Sequence, residues 1–262
     1  MSSLILLVIL FVLGIVFGSF ISALTWRYPR GISIKKGRSI CPKCRNQIAW
    51  FDNIPLLSFI LLRGKCRNCK KPISWRYPAI ELATALGFVA IGYFTYTLQG
   101  TTLQGVYSIL VLLCLLFIYC ILESIFVIDL EHQLIPDSFV FIGVLLIVLF
   151  FLTSNSPLLF PGLFAGFLAA TFLMLIHLLT RGRGMGLGDV KFAVLGGIIV
   201  GIRLLPVWLF LAFLTGAIVG IILILGKKAH LKSQIAFGPF LVVAIPLALL
   251  YGEKILFWLH FI

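Results

Sequence analysis

The chain has 262 residues, 61% hydrophobic and 11% charged, with a mean hydropathy of +1.17 and a formal net charge of +13. This composition excludes a soluble globular domain and indicates a polytopic membrane protein, whose apolar runs cross about 30 Å of hydrocarbon between short polar stretches. The basic excess does not indicate nucleic-acid binding, because the cations gather in the loops between apolar runs.

The first run, 4–24, is too long for a cleaved signal peptide and lacks a basic leading region and a clear cleavage site, so it is expected to remain as a span. Residues 25–77 form the one sizeable polar segment. Asn53-Ile54-Pro55, Pro72 and Tyr77-Pro78 read as turns within it, which suits a small, loop-rich insertion. Further spans are predicted at 79–98, 106–128, 138–152, 157–179, 190–202, 204–225 and 235–258, eight in all, the fourth and sixth being short. No internal repeat and no low-complexity linker stand out. The expected fold is an all-α bundle of about eight transmembrane helices carrying one soluble insertion.

Thirteen of the 21 Lys and Arg lie between Arg27 and Arg76, three in 181–191 and three in 227–232. Under eight spans these loops share one side, while only Arg203 and Lys254 fall on the other. The loops 98–105 and 152–157 carry no charge. The bias predicts that the basic loops are cytoplasmic and that both termini face outward. Part of the charge is also placed to meet anionic lipid headgroups.

Within the insertion, Cys41-Pro-Lys-Cys44 and Cys66-Arg-Asn-Cys69 form two C-x2-C knuckles 21 residues apart. Each such turn presents two thiolates, and the intervening loop brings the pairs together around one tetrahedral Zn2+. Lys43, Arg45, Lys65, Arg67 and Lys70 surround a site whose four thiolates and ion would carry a formal charge of −2. Two disulfides are the alternative, which a cytoplasmic location disfavours. A structural ion would also supply the stability that so small an insertion lacks. Cys114 and Cys120 fall in an apolar run and read as core residues.

Only eight residues are acidic: Asp52, Glu81, Glu123, Asp129, Glu131, Asp137, Asp189 and Glu253. Acids at membrane depth are costly and are functional candidates for that reason. Asp137, beside Pro136 at a helix start, has the ordinary explanation of a cap. Asp129 closes a helix, where the macrodipole disfavours negative charge. Asp189 follows Gly184, Gly186 and Gly188, which let the backbone leave helical geometry and approach another chain closely. The glycines fit neither a phosphate loop nor a GxGxxG turn. Both aspartates fall at the cytoplasmic ends of spans, where two carboxylates facing one cleft do not ionise together readily, so one acts as acid and the other as base. The spacing leaves open an aspartic peptidase or paired acids for cation or proton transport. Lys191 is placed to bias Asp189 or to snorkel to the interface. His132 reads as an interfacial loop residue, and Glu123 as an acid facing the bundle interior.

Taken together, GSFISALTWRYP at 18–29, the segment 41–81 with both knuckles, IDLEHQLIPD at 128–137, GLGDVK at 186–191 and FGPFL at 237–241 resemble the prepilin leader peptidases of type IV pilus, type II secretion and competence systems. The resemblance runs through almost the whole chain. It implies a GxGD-type aspartyl protease of the bacterial inner membrane that removes the short basic leader of a prepilin or pseudopilin after a glycine, on the cytoplasmic side. Asp129 and Asp189 would be the catalytic pair, with Asp137 as the alternative partner and Gly186, Gly188, Lys191 and Asp137 as supporting candidates. Many members also methylate the new N-terminal residue with S-adenosylmethionine. That activity is associated with residues 25–77 and their cysteines, and Gly18, Ser19, Phe20 and Glu81 are candidates beside it. The plainer readings are close helix packing for Gly18-Ser19 and a pairing with Arg76 for Glu81. The implied division is a first helix over 1–24, the zinc-binding insertion over 25–77 and a peptidase region over 78–262. A transporter with a zinc-stabilised loop and a non-enzymatic membrane scaffold are the rival readings.

Overall fold

The computed structural model describes residues 3–33, 39–98, 106–154, 156–228 and 235–258. Most of the uncharged loop expected at 98–105 and of the basic loop at 227–232 lies outside them, as do Lys35, Lys36 and Arg38 of the insertion. The described residues are almost entirely helical: α1 (Ser3–Arg27), α2 (Leu57–Leu61), α3 (Arg76–Leu98), α4 (Val106–His132), α5 (Asp137–Thr153), α6 (Leu159–Leu179), α7 (Leu187–Leu225) and α8 (Gly238–Trp258). Among them there is no strand, only two isolated bridges in the insertion, Ile40 with Gln47 and Lys65 with Pro72.

Among the described residues six stretches are long and apolar enough to cross a membrane, belonging to α1, α3, α4, α6, α7 and α8. At 17 residues α5 is shorter, as expected of the fourth run. The expected sixth and seventh spans are merged in α7, whose 39 residues would reach about 58 Å as one straight helix, far beyond the hydrocarbon thickness. The merger is only apparent. Gly201 adopts φ 74°, ψ 168°, a conformation essentially reserved for glycine, and breaks the helix into 187–200 and 202–225. Pro206, five residues on, cannot donate to the carbonyl of Ile202, so it favours the same break.

The chain forms two compact units, Met1–Ser124 and Ile125–Ile262, with α4 running from one into the other. In the first unit α1 lies directly on α3. A Cβ on Gly14 would stand 2.5 Å from the Cα of Ala85, and one on Gly18 would stand 2.6 Å from the Cα of Glu81. Small residues thus set the spacing, as they do where lipid supplies no hydrophobic drive between helices. Leu10, Phe88, Leu112 and Leu116 form the apolar core. Tyr119 packs onto Gly87 and donates to the carbonyl of Ala83 at 3.0 Å.

In the second unit α6 meets the first half of α7 through Gly166 and Gly197, where an added Cβ on Gly197 would lie 2.7 Å from the Cα of Gly166. The second half of α7 is joined to α8 by fully buried Trp208, whose indole N–H donates to the carbonyl of Leu241 at 2.9 Å. The polar hydrogen of a large buried ring is thereby satisfied inside the bundle.

A Gly201→Ala variant meets no neighbour, so its cost is backbone strain alone. It is expected to destabilise the protein by about 1–3 kcal/mol. Gly220→Ala, which meets only Ile235 Cδ1 at 3.8 Å, is expected to be neutral or slightly stabilising through helix propensity. Thermal unfolding of the two variants in detergent checks the contrast.

Candidate active site and cysteine cluster

Asp129 and Asp189 are the two buried acids of the second unit, 4% and 8% exposed. Asp129 lies in the last turn of α4, at the unfavourable end of the helix dipole, and is compensated by another helix. The backbone N–H of Gly238, at the start of α8, donates to its carboxylate. Asp189 lies in the first turn of α7, and its Oδ2 accepts the N–H of Gly186 at 3.1 Å. Each carboxylate therefore sits at a helix start, where unpaired N–H groups favour negative charge. The two are near enough for the charge of Asp129 to act on Asp189. The side chain of Ile135 stands beside both glycines of the site, since an added Cβ would lie 3.1 Å from it at Gly188 and again at Gly238.

The close approach is tight. A Cβ on Gly238 would stand 2.6 Å from Asp129 Oδ2, and that oxygen is buried without a hydrogen-bond partner among the described residues. An unsatisfied carboxylate oxygen in such a place is costly, and in the first unit Glu123 Oε1 shares that condition. Gly238 and Ile135 carried no sequence signal of their own, although FGPFL and IDLEHQLIPD contain them.

The backbone before Asp189 leaves helical geometry and Gly188 closely approaches Ile135, as expected, but without a left-handed turn at these glycines. None of Gly184, Gly186 and Gly188 has a positive φ; the left-handed positions are Arg181 at φ 52° and Gly182 at φ 74°. Gly186 precedes α7 in an extended conformation, φ −78°, ψ 150°. What these positions require is the absence of a side chain: a Cβ would approach Thr180 to 2.9 Å at Gly184 and Asp189 Oδ2 to 3.2 Å at Gly186.

Lys191 is not among the groups that act on Asp189. Its ammonium holds both oxygens of Asp137 at 2.8 Å. Asp137 in turn is not a cap: Pro136 occupies the N-cap and makes no side-chain cap bond, while Asp137, its side chain 70% exposed, points to Lys191. The two sequence neighbours of the buried pair thus neutralise each other at the surface. His132 is exposed at the end of α4, as expected of a loop residue.

In the first unit Gly18, Ser19 and Glu81 come together, while Phe20 is 55% exposed. Close packing at Gly18 holds; the Arg76 pairing for Glu81 does not. The guanidinium of Arg76 turns to α1, donating to the Ser22 carbonyl at 2.9 Å and Thr25 Oγ1 at 2.7 Å. Glu81 Oε2 instead accepts the N–H of Leu56 at 2.7 Å, and Ser19 also bonds its carboxylate. Leu56 has φ 57°, a strained value for a leucine, so Glu81 clamps a strained point of the insertion onto α3. The partner of Glu123 is Thr84, at 2.8 Å.

All six cysteines are free. The sulfurs of Cys41, Cys44, Cys66 and Cys69 lie within 4.8 Å of one another. A tetrahedral ion with Zn–S of about 2.3 Å needs sulfurs about 3.8 Å apart, so the set fits one ion after a small contraction. The two knuckles are copies of one turn. In the first, Cys41 N–H bonds Asn46 O at 2.9 Å and Arg45 N–H bonds Cys41 O at 2.8 Å; in the second, Cys66 N–H bonds Lys71 O at 2.9 Å and Lys70 N–H bonds Cys66 O at 3.0 Å. Arg45 and Lys70 share the left-handed conformation, φ 59° and 58°. CPKCRNQIAW at 41–50 and CRNCKKPISW at 66–75 are therefore an internal repeat, contrary to the reading that the chain has none. Arg67 is drawn off by Asp52 through two 2.7 Å bonds, which hold that carboxyl below its ordinary range.

Gly238→Ala is expected to displace Asp129 and cost about 1–3 kcal/mol as an overpacked site. Lys191→Met, which breaks an exposed ion pair, is expected to cost less than about 1 kcal/mol. Melting temperatures in one detergent separate the two.

The profile of the Bacterial Peptidase A24 N-terminal domain matches residues 12–95, and that of the Type IV leader peptidase family matches 114–221. A prepilin leader peptidase/N-methyltransferase of Aeromonas hydrophila is 39% identical over 84% of this chain and 74% of its own. Proteins of the same name from Pseudomonas aeruginosa and Bacillus subtilis are 36% and 34% identical, over 83% and 96% of this chain and 72% and 96% of theirs. No solved structure matches. With the leader-peptidase profile spanning both buried aspartates and the N-terminal profile spanning the knuckles, the chain belongs to the type IV leader peptidase family.

Proposed function

We propose that this chain is a membrane prepilin peptidase that also N-methylates its product, with Asp129 and Asp189 as the catalytic pair. The observation that carries the assignment is burial without a counter-cation: these two acids of the second unit are enclosed and the charge of Asp129 acts on Asp189, whereas Asp137 and Glu253 are exposed and paired with Lys191 and Arg203. The reading places both aspartates on the cytoplasmic side of a bacterial inner membrane, which the positive-inside bias supports.

The carboxylates hold one proton between them. The ionised one takes a proton from water as the oxygen adds to the carbonyl of the glycine that ends the leader. The other gives its proton to the amine as the tetrahedral intermediate collapses, and the pair ends with one proton again. The N–H groups of Gly238 and Gly186 hold the two carboxylates in place, and the absent Cβ atoms of Gly186 and Gly188 make room for the Asp189 carboxylate and for Ile135. Gly186, Gly188, Lys191 and Asp137 support the site and touch no reacting atom.

The insertion, 25–77, is assigned to methyl transfer together with Gly18, Ser19, Phe20 and Glu81, and 78–262 to the peptidase. Cys41, Cys44, Cys66 and Cys69 hold one Zn2+, which ties the two knuckles together and takes no chemical part. S-adenosylmethionine, when bound, supplies the methyl group. Glu81, gripping Ser19 and the Leu56 N–H, fixes the insertion against α1 and α3.

Cleavage of a prepilin by detergent-solubilised protein tests the pair. Asp129→Asn and Asp189→Asn are each expected to lose cleavage by at least about 100-fold, while Asp137→Asn keeps it. Wild-type rates for either of the first two overturn that residue's assignment. With S-adenosylmethionine added, mass spectrometry of the product is expected to show one added methyl for wild type. Glu81→Ala and Cys66→Ser are expected to cut but to methylate poorly, and Cys66→Ser to lose its metal by elemental analysis.

A further inference from the structure

The repeat in the insertion sets Trp50 and Trp75 in equivalent places, each two residues past the isoleucine that closes its knuckle. They are 74% and 75% exposed. Direct contacts join them through the chain between. The Trp50 and Phe51 rings lie 5.7 Å apart, Ser58 Oγ donates to the Phe51 carbonyl at 2.9 Å, and the Phe59 and Trp75 rings lie 4.9 Å apart. From the short helix α2 between them, Leu57, Ile60 and Leu61 protrude, the last two 69% and 72% exposed. A joined apolar strip of this kind outside the spanning helices needs a partner.

Charge selects the partner. Lys43, Arg45, Arg63, Lys65, Lys70 and Lys71 are exposed around the strip, and Asp52, the one acid between Ser39 and Trp75, is already neutralised by Arg67. Such a rim repels another basic segment, including a basic leader, and attracts an anionic surface. Both ends of the insertion run into spanning helices, α1 at Arg27 and α3 at Arg76, so the strip is tethered beside lipid headgroups. Tryptophan and basic residues together are the composition that favours the membrane–water interface. We propose that the strip from Trp50 to Trp75 is a lipid-docking surface, which lays the cysteine-bearing insertion onto anionic phospholipid headgroups of the membrane that holds the protein.

The test uses the full chain in nanodiscs, read as the fluorescence difference between wild type and the Trp50→Phe/Trp75→Phe variant. Both side chains are exposed, so the variant keeps its fold, and the difference isolates these two indoles from Trp26, Trp208 and Trp258. In brominated phosphatidylglycerol the larger part of the difference emission is expected to be quenched. In about 1 M salt, where the Debye length falls to about 3 Å, the quenching is expected to weaken. Equal quenching in brominated phosphatidylcholine would remove the electrostatic basis and overturn the proposal as stated. Emission quenched by aqueous iodide but by neither lipid would overturn it outright, leaving the strip to a soluble protein partner.

Discussion

The second unit depends on one close approach, that of the Gly238 backbone to the carboxylate of Asp129. A negative group at the end of α4 opposes the helix dipole and is buried in the bundle. The start of α8 answers with an N–H and with the positive end of its own dipole. This works only because position 238 has no side chain, for any Cβ would occupy the space of the carboxylate oxygen. Asp189 uses the same device within its own helix start. Two carboxylates are thereby held buried and adjacent without a cation to quench them, the condition an acid–base pair requires.

The surrounding charges are arranged so as not to interfere. Lys191 lies two residues from Asp189 yet is spent on Asp137, and Arg203 is spent on Glu253. Exposed pairs of this kind contribute little to stability. Their effect here is to leave the buried pair alone in the field of two helix starts. Four acids of this unit are thus sorted by what lies against them: Lys191 and Arg203 against Asp137 and Glu253 at the surface, backbone N–H groups against Asp129 and Asp189 inside.

In the first unit the same economy of side chains brings α1 onto α3 at Gly14 and Gly18, and Glu81 reaches past that contact to the strained backbone of Leu56. The insertion is therefore fastened to a spanning helix by a carboxylate, and its four clustered sulfurs are spaced to hold one ion between the knuckles. Its remaining surface is apolar and cationic, the combination that suits a segment tethered at the edge of lipid.

The positions of the helices were legible in the sequence, because burial in hydrocarbon is decided by local hydropathy: α5 and α6 begin and end within about two residues of the expected runs. The paired cysteines and the two costly aspartates were legible too, since their chemistry is carried by residue type and spacing. The knuckle repeat was present in 41–50 and 66–75 but lay below notice, its likeness being one of backbone turns more than of side chains. What the tertiary structure alone decided was partnership: Lys191 with Asp137, Glu81 with Leu56, Arg76 with α1, and Asp129 with the start of α8. Hydropathy fixes which segments are helices, but not which faces of those helices meet, and a buried charge is settled by the group that lies across from it.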